Sequence, residues 1–317
     1  MLKIKLGGLK ENKVGLKMKE HMLIFCDLDN TILYSSKKKL AGDICVEWKL
    51  SKKRGFMSRE LMDLLFSIEY CKDDNVKFIP VTSRSIEQYN RVVKLSELLE
   101  YAITSNGANL CKNGVQDADW WLSTYKSVSN VLSGIMSAYK YLNNTLPDDT
   151  KFCRVVDGFW TYASVNASVN ASVNASVNAS VNASVNASVN AELLKKMVIE
   201  HIESYNDVFD LSNDIQVFDT GSKISVIPTA ISKGNAVKRF TQTYKLQHPD
   251  VTVKTLAFGD NLLDVSMLEA VDEAYTLESL RDKVSTGNVT FVDNSKRFDA
   301  FILNKLKEEL DGKIANI

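Results

Sequence analysis

Leu23-Ile24-Phe25-Cys26-Asp27-Leu28-Asp29-Asn30-Thr31 is the stretch whose reading decides the fold. An apolar run leads straight into two carboxylates spaced i, i+2. A short apolar run ending at a polar turn reads as a buried strand whose carboxyl end faces a ligand, the arrangement of an open α/β sheet. On extended chain, residues i and i+2 point the same way, so Asp27 and Asp29 can face one pocket. Two carboxylates that close repel and need a cation or a shared proton. Cys26 reads as a small buried residue on the same strand rather than as a nucleophile.

The chain after this stretch alternates. Residues 58–70 have helical apolar spacing with Ser58 as N-cap, and residues 76–81 read as a strand ending at Thr82-Ser83-Arg84. A helix over 86–99 and a third strand over 101–104 follow, stopping at Asn106-Gly107. Strand–helix alternation implies an α/β fold with a parallel sheet and helical crossovers. The basic runs Lys37-Lys38-Lys39 and Lys52-Lys53-Arg54 read as solvated loop faces near the pocket.

From residue 109 the pattern changes. Asn113-Gly114 is a hairpin signal, residues 128–142 are helical, and residues 152–162 read as strands broken at Asp157-Gly158. This suggests a separate α+β unit. Within it, residues 163–190 are seven copies of Ala-Ser-Val-Asn. A period of four builds no fixed helical stripe, and the run is far longer than an ordinary strand of about five or six residues. Removing six copies leaves a strand joined through an Asn cap to a helix over 192–205, so the repeat reads as a surface excursion at that junction.

Pattern then returns to the first type. A strand over 224–227 is followed by Ser232-Lys233-Gly234-Asn235, which opens a helix. A buried-type strand over 255–258 ends at Gly259-Asp260-Asn261-Leu262-Leu263-Asp264. A helix over 265–270, strands over 273–276 and 291–292, and a helix over 295–310 complete the chain.

Composition narrows the function classes. The 317 residues are 45% hydrophobic and 25% charged, with Lys+Arg and Asp+Glu balanced at 39 each, so no nucleic-acid partner is expected. No apolar run approaches the ~20 residues of a membrane span, so no membrane partner is expected either. Five scattered cysteines without a C-x-x-C pair read as reduced thiols of a cytoplasmic protein. Residues 1–20, with six lysines, read as a solvated basic tail. Oligomeric state is not legible.

Polar groups therefore stand at the ends of four expected elements: Asp27/Asp29, Thr82/Ser83, Lys233 and Asp260/Asp264. Hard oxygens in that number suit Mg²⁺, and an ammonium with a hydroxyl suits a phosphate dianion. A carboxylate nucleophile divides one difficult displacement into two easier ones.

Asp27-x-Asp29-x-Thr31, Val81-Thr82-Ser83-Arg84, Ser232-Lys233-Gly234 and Gly259-Asp260-x-x-x-Asp264 resemble, in order, the four motifs of the haloacid dehalogenase superfamily. Thr104-Ser-Asn106-Gly107-Ala108 before a long insertion looks like its Cof-type, sugar-phosphate phosphatase branch. The resemblance implies a three-layer Rossmann-like core over 21–108 and 230–317, with an inserted α+β cap over 109–229. It implies a Mg²⁺-dependent phosphatase acting on a small phosphorylated metabolite. Asp27 would be the nucleophile and Asp29 the general acid–base. Thr82, Ser83 and Lys233 would hold phosphoryl oxygens. Asp27, Asp29 (through its carbonyl) and Asp260 would bind the metal, with Asp264 and Asn261 behind them. A phosphomutase of the phosphomannomutase type, or a silent binding protein on the same fold, is the alternative. Ser83, Arg84 and Thr31 also admit purely structural roles, and Leu263 stands where that branch often has Asn. Specificity would reside in the cap, where Trp120, Trp121 and Trp160 read as packing residues before sugar-stacking ones.

Overall fold

The computed structural model describes residues 19–70, 75–146, 152–164, 187–204, 213–220, 223–293 and 297–311. The chain opens with β1 (Lys19–Cys26), β2 (Tyr34–Ser35), β3 (Ile44–Lys49), β4 (Lys52–Met57) and α1 (Arg59–Tyr70). Next come β5 (Val76–Pro80), α2 (Ile86–Asn90), α3 (Val93–Leu98), β6 (Tyr101–Thr104), β7 (Asn109–Lys112) and β8 (Val115–Gln116). The middle holds α4 (Ala118–Val128), α5 (Leu132–Thr145), β9 (Cys153–Val156), β10 (Trp160–Ser164), α6 (Ala187–Glu203), β11 (Ile215–Asp219) and β12 (Lys223–Pro228). The last part is α7 (Lys233–Gln247), β13 (Val251–Phe258), α8 (Val265–Leu268), β14 (Glu273–Leu277), β15 (Val289–Val292) and α9 (Phe298–Leu310).

The core is a parallel sheet in the order β15-β14-β13-β1-β5. β1 is buried on both faces, which is why its sequence is continuously apolar rather than alternating. Met22, Ile24 and Cys26 pack with Leu61 and Leu65 of α1 and Ile302 and Leu306 of α9. Leu23 and Phe25 pack on the other side with Val237 and Phe240 of α7. Each fully buried side chain of this size stabilises by roughly 1.5–3 kcal/mol. The result is the helix–sheet–helix sandwich expected of the α/β pattern.

The inserted unit is an antiparallel sheet in the order β11-β12-β10-β9. Ala163, Ile224 and Val226 face Ile135, Ala138 and Leu142 of α5 and Leu194 and Val198 of α6. Strand alternation turns Lys223, Ser225 and Tyr162 to the opposite face, toward the core.

Several expectations need correcting. The basic stretch read as loops contains the β3–β4 hairpin, which turns at Leu50 and Ser51, both with positive φ. The helix over 86–99 is two helices, because Val92 leaves helical geometry between them. The helix over 128–142 is likewise the end of α4 and most of α5. β6 does not join the parallel sheet as a full strand. It pairs antiparallel with β7 and touches the core sheet's edge through one bridge, Val81 to Ile103. The expected start of the insertion at residue 109 thus falls within a sheet continuous with β6, and Trp120 of α4 packs in the cluster around Phe25. Of the repeat, Ala163 and Ser164 end β10 and Ala187 to Asn190 begin α6. The reading of 165–186 as a surface excursion, and of 1–18 as a tail, lies outside the described residues.

Candidate active site

The site forms because neighbouring parallel strands end at the same level. Cys26 is in register with Phe258 and with Pro80. The Asp27 N–H donates to Phe258 O at 2.9 Å, and the Val81 N–H donates to Cys26 O at 2.8 Å. Three loops therefore leave the sheet side by side, carrying Asp27, Asp260 and Thr82.

Lys233 arrives from the other direction, in the first turn of α7. Ser232 caps that helix, its hydroxyl accepting from Asn235 N. Gly234 lets the turn press against α8: a Cβ there would lie 2.1 Å from Ser266 O. The Lys233 ammonium donates to Asp27 Oδ1 at 2.5 Å and to Asp264 Oδ1 at 2.6 Å. Asp264 Oδ2 accepts from the N–H groups of Asp260 and Asn261, at 3.0 and 2.9 Å. Asp264 thus ties the lysine to the loop that carries Asp260. The Thr31 hydroxyl donates to Asp260 Oδ1 at 2.9 Å, which gives it a place in the cluster beyond a turn cap.

One oxygen from each of Asp27, Asp260 and Asp264 falls within 4.8 Å of the others. Burial pushes the Asp27 carboxyl well up; Lys233 opposes this, and Asp264 and Asp260 reinforce it. Burial and Asp264 push Asp260 up to about 6. Burial works against the Lys233 charge, but Asp264 and Asp27 hold it protonated, above its ordinary value. Three carboxylates facing one ammonium leave negative charge uncompensated, and buried charge is costly without a partner. A hard divalent cation fits that donor set. Burial also raises the Cys26 thiol well above its usual range, so it is no thiolate nucleophile.

Asp29 stands apart from this cluster. Its carboxylate takes two hydrogen bonds from Arg84, from Nε at 2.8 Å and Nη2 at 2.7 Å. Desolvation pushes Asp29 up, yet the Arg84 guanidinium outweighs it and holds the carboxyl below its usual range. Glu47, buried in β3, pairs with Arg84 at 3.0 Å from behind. The Thr82 hydroxyl, fully buried, accepts from Arg84 N at 3.2 Å.

A cleft of about 510 Å³ opens above these groups. Asp29, Ser83, Asp260 and Asn261 reach it from the core, and Trp160, Tyr162, Lys223 and Ser225 from the inserted sheet. Asp27, Thr82, Lys233 and Asp264 lie beneath its floor, each 2% exposed or less. Asn261 caps the turn that ends at Asp264, so it shapes the loop. Leu263 also lines the cleft. Trp120 does not: it packs under Arg239 and donates to Gly107 O.

Two contributors had no signal in the sequence. Glu47 is a lone acid in β3, between the two basic runs read as loop faces. Asp157, in the β9–β10 turn, reaches the core: its carboxylate accepts from Ile86 N at 3.0 Å, Asn109 Nδ2 at 3.1 Å and the Ser105 hydroxyl.

Comparison with known proteins agrees with this fold. Sucrose-phosphatase from Synechocystis sp. PCC6803, solved with sucrose and phosphate, superposes with a TM-score of 0.54 at 14% identity, covering 92% of this chain and 98% of that one. The C-terminal domain of C. albicans trehalose-6-phosphate phosphatase gives 0.54 at 12%, covering 92% of each chain. A sugar phosphatase of haloacid dehalogenase subclass IIB gives 0.51 at 12%, covering 92% and 99%. At these identities the likeness is one of fold. No curated protein matches in sequence. The model of the haloacid dehalogenase-like hydrolase family matches residues 64–300. With the family's model spanning most of its length, this chain belongs to the haloacid dehalogenase-like hydrolases.

Proposed function

We propose that the protein is a Mg²⁺-dependent phosphatase acting on a small phosphorylated metabolite, a sugar phosphate. The observation that carries this reading is the meeting of Asp27, Lys233, Asp264 and Asp260 under a cleft whose mouth holds Asp29. The relatives named as sugar phosphatases support the substrate class.

Asp27 attacks phosphorus, and the bond to the leaving oxygen breaks. Asp29 gives that oxygen its proton. Water then attacks the aspartyl-phosphate, Asp29 takes the water's proton, and inorganic phosphate leaves with Asp27 restored. Lys233 balances charge on the phosphoryl oxygens, and Thr82 and Ser83 offer them hydroxyl donors. Asp27, Asp260 and the Asp29 carbonyl would hold Mg²⁺, with Asp264 and Asn261 fixing their loop. When bound, the ion neutralises the carboxylates and polarises the phosphoryl group. Arg84 keeps Asp29 ionised at rest. A phosphate dianion arriving beside it adds negative charge and pushes the carboxyl back toward protonation.

The test is p-nitrophenyl phosphate hydrolysis with Mg²⁺, with EDTA, and with Asp27→Asn. Turnover that needs both the metal and Asp27 is expected. Equal rates for wild type and variant would remove the reading. Release of free phosphate in labelled water separates hydrolysis from phosphoryl transfer to a second hydroxyl.

A further inference from the structure

We propose that Lys223 anchors a subsite for a second anionic group on the leaving alcohol, so that the preferred substrate carries a carboxylate or a second phosphate besides the one removed. This rests on the phosphatase reading above and names its substrate class more narrowly.

Lys223 is the first residue of β12 and pairs with Ser164. Its neighbour Ile224 faces the buried side of the inserted sheet, so Lys223 turns to the cleft. There its ammonium lies 5.3 Å from the centre of the Tyr162 ring, which steers a long, otherwise free side chain. Among the described residues no carboxylate pairs with it. The other cleft cations are committed to differing degrees. Arg84 is taken up by Asp29 and Glu47. Arg91 is ion-paired with Glu47 at 3.5 Å and with Glu87 at 3.6 Å. Among the described residues that line the cleft, Lys223 is thus the cation without a carboxylate partner.

The position distinguishes this charge from the one that serves the reacting phosphate. That group belongs under the floor, with Lys233 and Thr82. Lys223 sits on the inserted sheet, and its charge acts on Asp29, the group that protonates the leaving oxygen. It is thus on the leaving-group side. A neutral sugar would find hydroxyl and amide partners in Ser225, Thr220 and Gln88 and a wall in Trp160. It would offer the ammonium only neutral hydroxyl acceptors, a weaker match than an anion.

The experiment compares wild type, Lys223→Met and Lys223→Arg with Mg²⁺ on glucose 6-phosphate, 6-phosphogluconate and fructose 1,6-bisphosphate. Wild type should favour at least one of the two more anionic esters by about tenfold in kcat/KM, mostly through KM. The arm that responds identifies carboxylate or phosphate as the second anion. Lys223→Met should erase that preference, lowering kcat/KM for the favoured anionic ester about tenfold more than for glucose 6-phosphate, and Lys223→Arg should keep it. Added salt should weaken the preference in wild type and not in Lys223→Met. A wild type that hydrolyses p-nitrophenyl phosphate but shows no preference overturns the subsite alone, and so does a Lys223→Met that slows all three esters equally at unchanged melting temperature. A wild type that hydrolyses no phosphate ester overturns the phosphatase reading, and the subsite with it.

Discussion

Asp264→Asn is the substitution whose cost the structure constrains most closely. It keeps shape and removes one charge. Lys233 lies 2.6 Å from Asp264 Oδ1, an attraction of about 6 kcal/mol at an effective dielectric of about 20. Against it, Asp27 and Asp260 each present an oxygen within 4.8 Å, a repulsion of at least about 3.5 kcal/mol apiece. Where Asp27 and Asp260 are both ionised the charge terms nearly cancel, and the lost hydrogen bonds set the minimum cost. Asp264 accepts from the ammonium on one oxygen and from two backbone N–H groups on the other. An asparagine has one acceptor. Turned either way, its NH₂ meets a buried donor, at about 1–3 kcal/mol for each group left unmatched. The expected loss is about 2–4 kcal/mol. Bound Mg²⁺ would cancel the repulsion that offsets the lost attraction, so the deficit should widen with metal. Urea unfolding followed by tryptophan fluorescence, with EDTA and with Mg²⁺, measures both quantities. A metal-free loss below about 1 kcal/mol, or a deficit that shrinks with Mg²⁺, would refute the reasoning.

Other perturbations test separate parts. Arg84→Met removes the guanidinium that holds Asp29 below its usual range. Because Asp29 must carry a proton to release the leaving group, the alkaline limb of the kcat/KM profile should move to higher pH, alongside a fall in the maximum of about 10–100-fold from lost positioning. Gly234→Ala brings a Cβ to 2.1 Å from Ser266 O, a backbone atom; thermal melting should fall by several degrees, about 2 kcal/mol or more in stability. Asp157→Ala leaves Ile86 N and Asn109 without their shared acceptor. It should raise KM for p-nitrophenyl phosphate several-fold, and steady-state kinetics beside a thermal melt check it.

How much of this could be read from the chain follows from where the signals lie. Asp27/Asp29 and Asp260/Asp264 are close in sequence, and each pair closes an apolar strand, so their convergence needs only the parallel-sheet rule. Lys233 announces itself through the Ser232 cap and the glycine after it. Glu47 and Asp157 carry no such mark, since each acts through partners 37 or more residues away. The β3–β4 hairpin was hidden because Lys49, Lys52, Lys53 and Arg54 face water on an exposed ribbon and show little alternation. The break between α2 and α3 has no Gly or Pro to signal it; Val92 is instead pinned in the core cluster, fully buried.

Asp157 has a mechanical consequence. Its carboxylate sits on the first N–H of α2, two residues beyond Arg84, and on Ser105 and Asn109 at the root of the insertion. Any displacement of the β9–β10 turn from the catalytic floor breaks all three bonds together. The seating of the inserted sheet and the placing of the arm that grips Asp29 therefore share one side chain.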